Sequence, residues 1–352
     1  MVAAAGKASA LTLTALRRLK FRIWMLGLML ALAASLVVAV TIGPAAIGPG
    51  EVWAVIAHKL GLIADSPVSR LREGIVWELR LPRVLAAAAV GAGLAICGAT
   101  MQALTRNPLA DPYLLGLSSG ASVGAVAMLL AGATLLLPLG AFLGALAAMA
   151  LTLGLARALG AITAARAILA GLAVSALASA LTSFLIFSTA TGDSYREILA
   201  WLMGSLAGAR WGDAGLVLAA LAVIGGPLIM AGRVLDGFVF GDAAAGALGI
   251  DVGRTRWLML GATALLTGLL VAVSGAIGFV GLILPHAVRL MVGGRHRHLL
   301  PLAALAGAVF MVWADTAART LFDPRELPVG IVTALFGAPA FFLILLANRR
   351  ST

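Results

Sequence analysis

The feature that most limits what this chain can become is a succession of apolar runs, each long enough to cross a bilayer. A helix needs about 20 mostly apolar residues to span about 30 Å of hydrocarbon. Ten such stretches follow one another, at residues 23–42, 84–104, 114–131, 134–156, 167–187, 214–232, 257–275, 277–293, 300–319 and 328–347. The third and fourth, and the seventh and eighth, have almost no polar linker, so eight or nine spans is the alternative count. Hydrophobic residues make up 62% of the 352 and charged residues 11%, against about 45–50% and 25% in soluble domains. That leaves too little polar surface to face water, which excludes a soluble enzyme, a disordered chain and a nucleic-acid binder despite a net charge of +11. The 42 glycines suit helices packed through small residues. The expected fold class is an all-α polytopic membrane protein of about ten transmembrane helices. It has one transmembrane domain, residues 23–347, between a basic segment, 1–22, and a short tail, 348–352.

Charge sets the expected orientation. With the N-terminus cytoplasmic, sixteen of the 25 basic residues fall on inside segments and nine outside, as the positive-inside rule requires. Nine acids match the outside cations, whereas the inside segments hold only Asp111, Asp236, Asp242 and Asp251. Both termini are therefore expected inside, with residues 43–83 as an outer loop and 233–256 as an inner one. The first apolar run exceeds the 7–15 residues of a signal-peptide core, so it reads as a span rather than a cleaved leader.

The chemistry is sparse. The sequence contains no G-x-x-x-x-G-K-[ST] phosphate loop and no H-E-x-x-H pair, so the chain reads as a non-enzyme. Cys97 lies in an apolar run and reads as a buried free thiol. His296 and His298, within Arg295-His296-Arg297-His298, read as a solvated basic turn. Asp315 stands alone as an acid within a span, and Arg319 one turn later is its expected i,i+4 partner. So little intramembrane charge argues against the rival class, an ion-coupled secondary carrier.

Two places are expected to break helices at the cytoplasmic mouth, Asn107-Pro108 and Pro285-His286, because proline lacks a backbone donor. A simple helix end is the alternative at each. Cys97-Gly98-Ala99 before Pro108 is echoed by Ser274-Gly275-Ala276 before Pro285, a spacing compatible with an inverted repeat. In the inner loop, Asp242 is expected to cap a short helix over residues 243–248 that Gly249 ends. A capped element there reads as a docking knob for a cytosolic partner.

Several short motifs occur in order: Arg80-Leu81-Pro82-Arg83, Gly91-Ala92-Gly93-Leu94-Ala95, Gly98-Ala99-Thr100-Met101-Gln102, Asn107-Pro108-Leu109-Ala110 and Gly116-Leu117-Ser118-Ser119-Gly120-Ala121. Trp201-Leu202-Met203-Gly204-Ser205-Leu206, Ala247-Leu248-Gly249-Ile250, Gly278-Phe279-Val280-Gly281-Leu282-Ile283, Pro285-His286, Ala314-Asp315, Ala318-Arg319 and Glu326-Leu327-Pro328-Val329-Gly330 follow. From about residue 75 onward this set resembles the FecCD family, permease subunits of bacterial ABC importers for iron-siderophores, heme and cobalamin.

The resemblance implies a type II ABC importer permease in the bacterial inner membrane, surrounded by lipid and paired with a second copy or a paralogous permease. It also implies two ATPase subunits that hold ATP and Mg, no cofactor on this chain, and a periplasmic substrate-binding protein. Gly241, Asp242, Ala245, Gly246, Leu248 and Gly249 then correspond to the ATPase-coupling segment. The family often has Glu after the loop glycine where this chain has Gly241-Asp242-Ala243, which leaves the contacting side chains open. Arg80, Arg83 and Arg319 correspond to the arginines that hold the binding protein, whose carboxylates a guanidinium fork suits. On residues alone, Arg80 and Arg83 equally well anchor the second span at the headgroups. An iron-siderophore is the first expected cargo, with heme and cobalamin as alternatives.

Overall fold

The structure is a computed structural model. It describes residues 2–65, 67–160, 163–322 and 325–349; Asp323 and Arg350, used in the charge comparison, and residues 351–352 of the tail lie outside them. The described residues form α-helices joined by short turns, with no strand among them. The helices are α1 (Val2–Thr41), α2 (Pro49–Lys59), α3 (Arg70–Gly74), α4 (Leu81–Thr105), α5 (Leu117–Leu130), α6 (Leu137–Ala158), α7 (Ala164–Thr189) and α8 (Gly192–Leu202). They continue with α9 (Trp211–Ala220), α10 (Gly226–Met230), α11 (Gly232–Val239), α12 (Asp242–Ala247), α13 (Val252–Ser274), α14 (Val280–Val292), α15 (His296–Ala318) and α16 (Val329–Arg349).

Among the described residues, seven helical stretches are long and apolar enough to cross a membrane, and α5, α14 and the apolar part of α16 (Val329–Leu343) are shorter apolar helices. Together these are the ten expected spans. The doubtful pairs are separate. Gly132, in the left-handed region (φ +68°), closes the turn between α5 and α6, and Gly275–Phe279 separates α13 from α14.

α4 is the axis, buried almost all round. α1, α9, α13, α14 and α15 pack around it, while α5, α6 and α7 form a flanking layer that reaches the axis through α13. Gly91 on α4 faces the Gly307 backbone of α15, and Gly98 faces Gly281 of α14; a methyl at either α4 position would sit inside the opposing carbonyl. Such contact lets helices gain dispersion energy where lipid removes any hydrophobic incentive. The sequence echo does not repeat the local structure. Gly98 lies inside α4, whereas Gly275 (φ +66°) ends α13; the two motif regions instead pack against each other through Gly98 and Gly281.

The second span begins earlier than expected. One continuous helix runs Arg70–Thr105, with Ile75–Arg80 wound as a π-helical turn before Pro82. Pro82 can donate no hydrogen bond, and the wider turn accommodates that gap without ending the helix.

Candidate functional site

The two ends of α4 carry the two groups of residues singled out by the sequence. At its N-terminal end, Arg80, Arg83 and Arg319 converge, each less than a tenth exposed. α1 ends there, and the last carbonyls of a helix lack intrahelical partners. Arg80 donates to the carbonyls of Val40 (3.0 Å), Thr41 (3.2 Å) and Ala45 (2.6 Å). Arg319 donates to Ala39 O and to Thr316 Oγ1. Two cations thus cap the negative end of α1. Gly43 lies beside them, and a Cβ there would press on the Arg80 guanidinium.

Arg83 does different work. Its Nε and Nη2 take both oxygens of Asp315, at 2.9 and 3.0 Å, and its Nη1 donates to Glu326 at 2.8 Å. Asp315 is 1% exposed and the Glu326 side chain 41%. The expected Asp315–Arg319 pair therefore does not form. Asp315 faces Arg83 across the α4–α15 contact, and Arg319 turns to the end of α1. The three sequence-selected arginines do meet in one cluster, but no guanidinium there lies open on the surface.

At the opposite end of α4, the chain leaves the helix at Arg106 (φ +51°), and the Asn107 carboxamide accepts from Leu109 N at 2.9 Å. The Asn107-Pro108 break is present. The one expected at Pro285-His286 is not: Pro285 lies inside α14. The carbonyl its missing N–H would have served, Gly281 O, is taken by Gln102 Nε2 at 3.3 Å, which also reaches Leu282 O at 3.2 Å. Gln102 Oε1 in turn accepts from Arg289 at 3.0 Å. A neighbouring side chain thus repairs the proline defect, and the break moves to Gly275–Phe279. There the Tyr113 hydroxyl donates to Ile277 O (3.0 Å) and accepts from Ile277 N (3.1 Å). Gly204, Gly275 and Gly330 bring three of the motifs into backbone contact at the same junction. Phe279 adopts φ +71° there, a conformation that costs an aromatic residue energy.

The loop of residues 233–256 projects from this end as α11 and α12. α12 exists as expected, but Asp242 does not cap it. Gly241 (φ +99°) occupies the cap position, and Asp242 Oδ1 accepts from Arg256 at 2.6 Å. That bond holds the Asp242 carboxyl below its ordinary pKa. Arg256 is buried, with its guanidinium 5.4 Å from the Phe238 ring centre. Asp251 caps α13 through Arg254 N at 3.0 Å.

Gly241 and Ala245 are buried and seat the knob. Asp242, Gly246, Leu248 and Gly249 face outward, Gly249 in the left-handed region (φ +79°) that ends the turn. Two residues missed in the sequence join them: Val239 and Phe240, 48% and 79% exposed, beside Leu248 at 70%. The available signal was Phe238-Val239-Phe240, an aromatic run just before a Gly-Asp turn. The solvated-turn reading also fails for His296. It is buried, with its backbone N donating to Asp236 Oδ1 at 2.7 Å and its ring Nδ1 2.9 Å from the same oxygen. A carboxylate on α11 and a ring on α15 thereby fix the base of the knob.

The bundle therefore carries a buried arginine cluster at one end of α4 and a short helical loop with exposed apolar side chains at the other. Residues 29–347 match the FecCD transport family. The chain belongs to that family. Among its relatives are the vitamin B12 import system permease protein BtuC of Vibrio cholerae, 44% identical over 86% of this chain and 89% of that protein, and the cobalamin import system permease protein BtuC of Halobacterium salinarum, 45% identical over 78% and 74%. A solved structure of an ABC transporter in an inward-facing conformation, described as of metal-chelate type, matches with a TM-score of 0.80 at 32% identity, covering 92% of this chain and 98% of that one. As a FecCD member the chain is a multi-span permease of the ABC importer type.

Proposed function

We propose that this permease carries a corrinoid inward across the bacterial inner membrane, with both termini cytoplasmic. The observation that carries the cargo is the 44% identity to a vitamin B12 permease along nearly the whole chain. It displaces the iron-siderophore as first choice. A ferric chelate is the second reading, supported by the metal-chelate description of the structural neighbour. Competition decides between them: in vesicles holding the complete importer, excess unlabelled cyanocobalamin abolishes uptake of the labelled compound while excess ferric siderophore does not. Uptake of a labelled ferric siderophore with no uptake of labelled cyanocobalamin overturns the corrinoid reading.

The working assembly in this proposal is two copies of the chain, or one with a paralogue, two ATPases against the 233–256 loops and a binding protein on the arginine end. ATP and Mg belong to the ATPases. Each ligand drives transport by favouring one of two states of the bundle. Phe240 and Leu248 supply apolar contact to the ATPase, on a knob held by Gly241, Ala245 and the Asp242–Arg256 bond. Docking of the binding protein works by exchange. Asp315 keeps two donors of Arg83, and a partner carboxylate displaces the half-exposed Glu326 from Nη1. Arg80 and Arg319 brace the end of α1 so that the platform keeps its shape.

A further inference from the structure

At the end of the bundle that carries the knob, beside its base, α1, α14 and the start of α15 line a cavity of about 370 Å³. Lys20, Arg289, Arg295 and His298 line it, and among the described residues no carboxylate does. Asp236, the acid nearest in the network, is already engaged by His296. Arg289 is held at the cavity wall by its bond to Gln102. The Phe21 ring stacks on His298 with centroids 4.4 Å apart, joining the α1 wall to the α15 wall. Lys20, Arg289 and Arg295 thus gather positive charge around one concave site, which favours an anionic occupant.

The rim supplies the second clue. Leu290, at the cavity, is 65% exposed, and Leu19 and Ile23, flanking Lys20 and Phe21 on α1, are 55% and 61% exposed. A soluble anion gains nothing from such a rim. A lipid gains from both parts, because its charge sits in the cavity and its chains lie along the apolar helix faces. Basic pockets between membrane helices take anionic headgroups in this way.

We propose that this cavity binds the phosphodiester headgroup of an anionic phospholipid, with its acyl chains against the outward faces of α1 and α14. The bound lipid ties α1 to the helix that carries Pro285 and Arg289.

The test is native mass spectrometry of the full-length protein in detergent, titrated with phosphatidylglycerol, phosphatidylcholine or inorganic phosphate. Phosphatidylglycerol is expected to bind at least about tenfold more tightly than phosphatidylcholine. Lys20→Gln with Arg295→Gln is expected to weaken it by about fivefold per cation removed, with unchanged melting temperature, since both side chains are exposed. The charge-preserving pair Lys20→Arg and Arg295→Lys is expected to retain binding. Equal retention of the two lipids, or wild-type affinity in the Gln pair, overturns the site. Displacement of phosphatidylglycerol by millimolar inorganic phosphate overturns the lipid in favour of a free anion.

Discussion

Arg83 and Asp315, 232 residues apart, meet as a two-pronged ion pair that locks α4 to α15 at one end of the bundle. Removing one member of a buried pair strands the other charge, at about 3–5 kcal/mol, whereas replacing both by apolar residues is often neutral. Arg83→Met or Asp315→Asn alone is therefore expected to lower the melting temperature in detergent sharply, and Arg83→Met with Asp315→Leu to recover most of it. Arg83→Lys is expected to fall short, because an ammonium cannot reproduce the fork. Equal melting of all four variants would show that the pair carries no structural weight.

Gln102 repairs the gap left by Pro285. Gln102→Leu leaves the Gly281 carbonyl and Arg289 without their partner, at a cost of about 1–3 kcal/mol. In a Pro285→Ala background the restored N–H can serve Gly281 O within α14, so the same Gln102→Leu change is expected to cost less. A double-mutant cycle by thermal unfolding measures the coupling, and strict additivity would contradict it.

The apolar tip of the knob is expected to carry energy at the ATPase contact. Phe240→Ala with Leu248→Ala, at side chains 79% and 70% exposed, is expected to leave melting unchanged and to reduce co-purification of the ATPase and ATP-driven uptake about tenfold or more. Unaltered co-purification would move the contact elsewhere.

The Asp242–Arg256 bond has a defined pH window. Because Arg256 lowers the Asp242 pKa in the folded loop, the bond's stabilisation is fully present above the ordinary carboxylate value of about 3.9. It is lost only as pH falls through the lower folded value. Backbone amide exchange in residues 242–248 is expected to stay equally protected from pH 7 to pH 5 once corrected for intrinsic rates. Asp242→Asn is expected to reduce protection across that range. A loss of protection in the wild type between pH 6 and 5 would contradict the assignment.

The contrast between these residues explains what the sequence makes legible. Ten spans can be read because bilayer thickness imposes a length on apolar runs, and α12 can be read from the Gly-Asp turn before it and Gly249 after it, although the cap falls on Gly241 rather than on Asp242. The partners of Asp315 and Asp242 cannot be read, because i,i+4 pairing and helix capping each look only along one local segment, whereas Asp315 pairs with Arg83 on α4 and Asp242 with Arg256 on α13. Pro285 is misread for the same reason: Gln102, which rescues it, lies on α4. The Gly275–Phe279 break hides inside an apolar run, where Tyr113 from a distant turn satisfies the Ile277 backbone. His296 looks solvated until α11 brings Asp236 against it.

We propose that this FecCD permease is driven by a separate ATPase acting at the Asp242 end. Its most direct test is uptake of labelled cyanocobalamin into vesicles containing the permease with or without its ATPase, the binding protein being present on the arginine side. Uptake is expected to require the ATPase and hydrolysable ATP and to be absent with the permease alone under any ion gradient. Cargo accumulation by the permease alone under an ion gradient would contradict it.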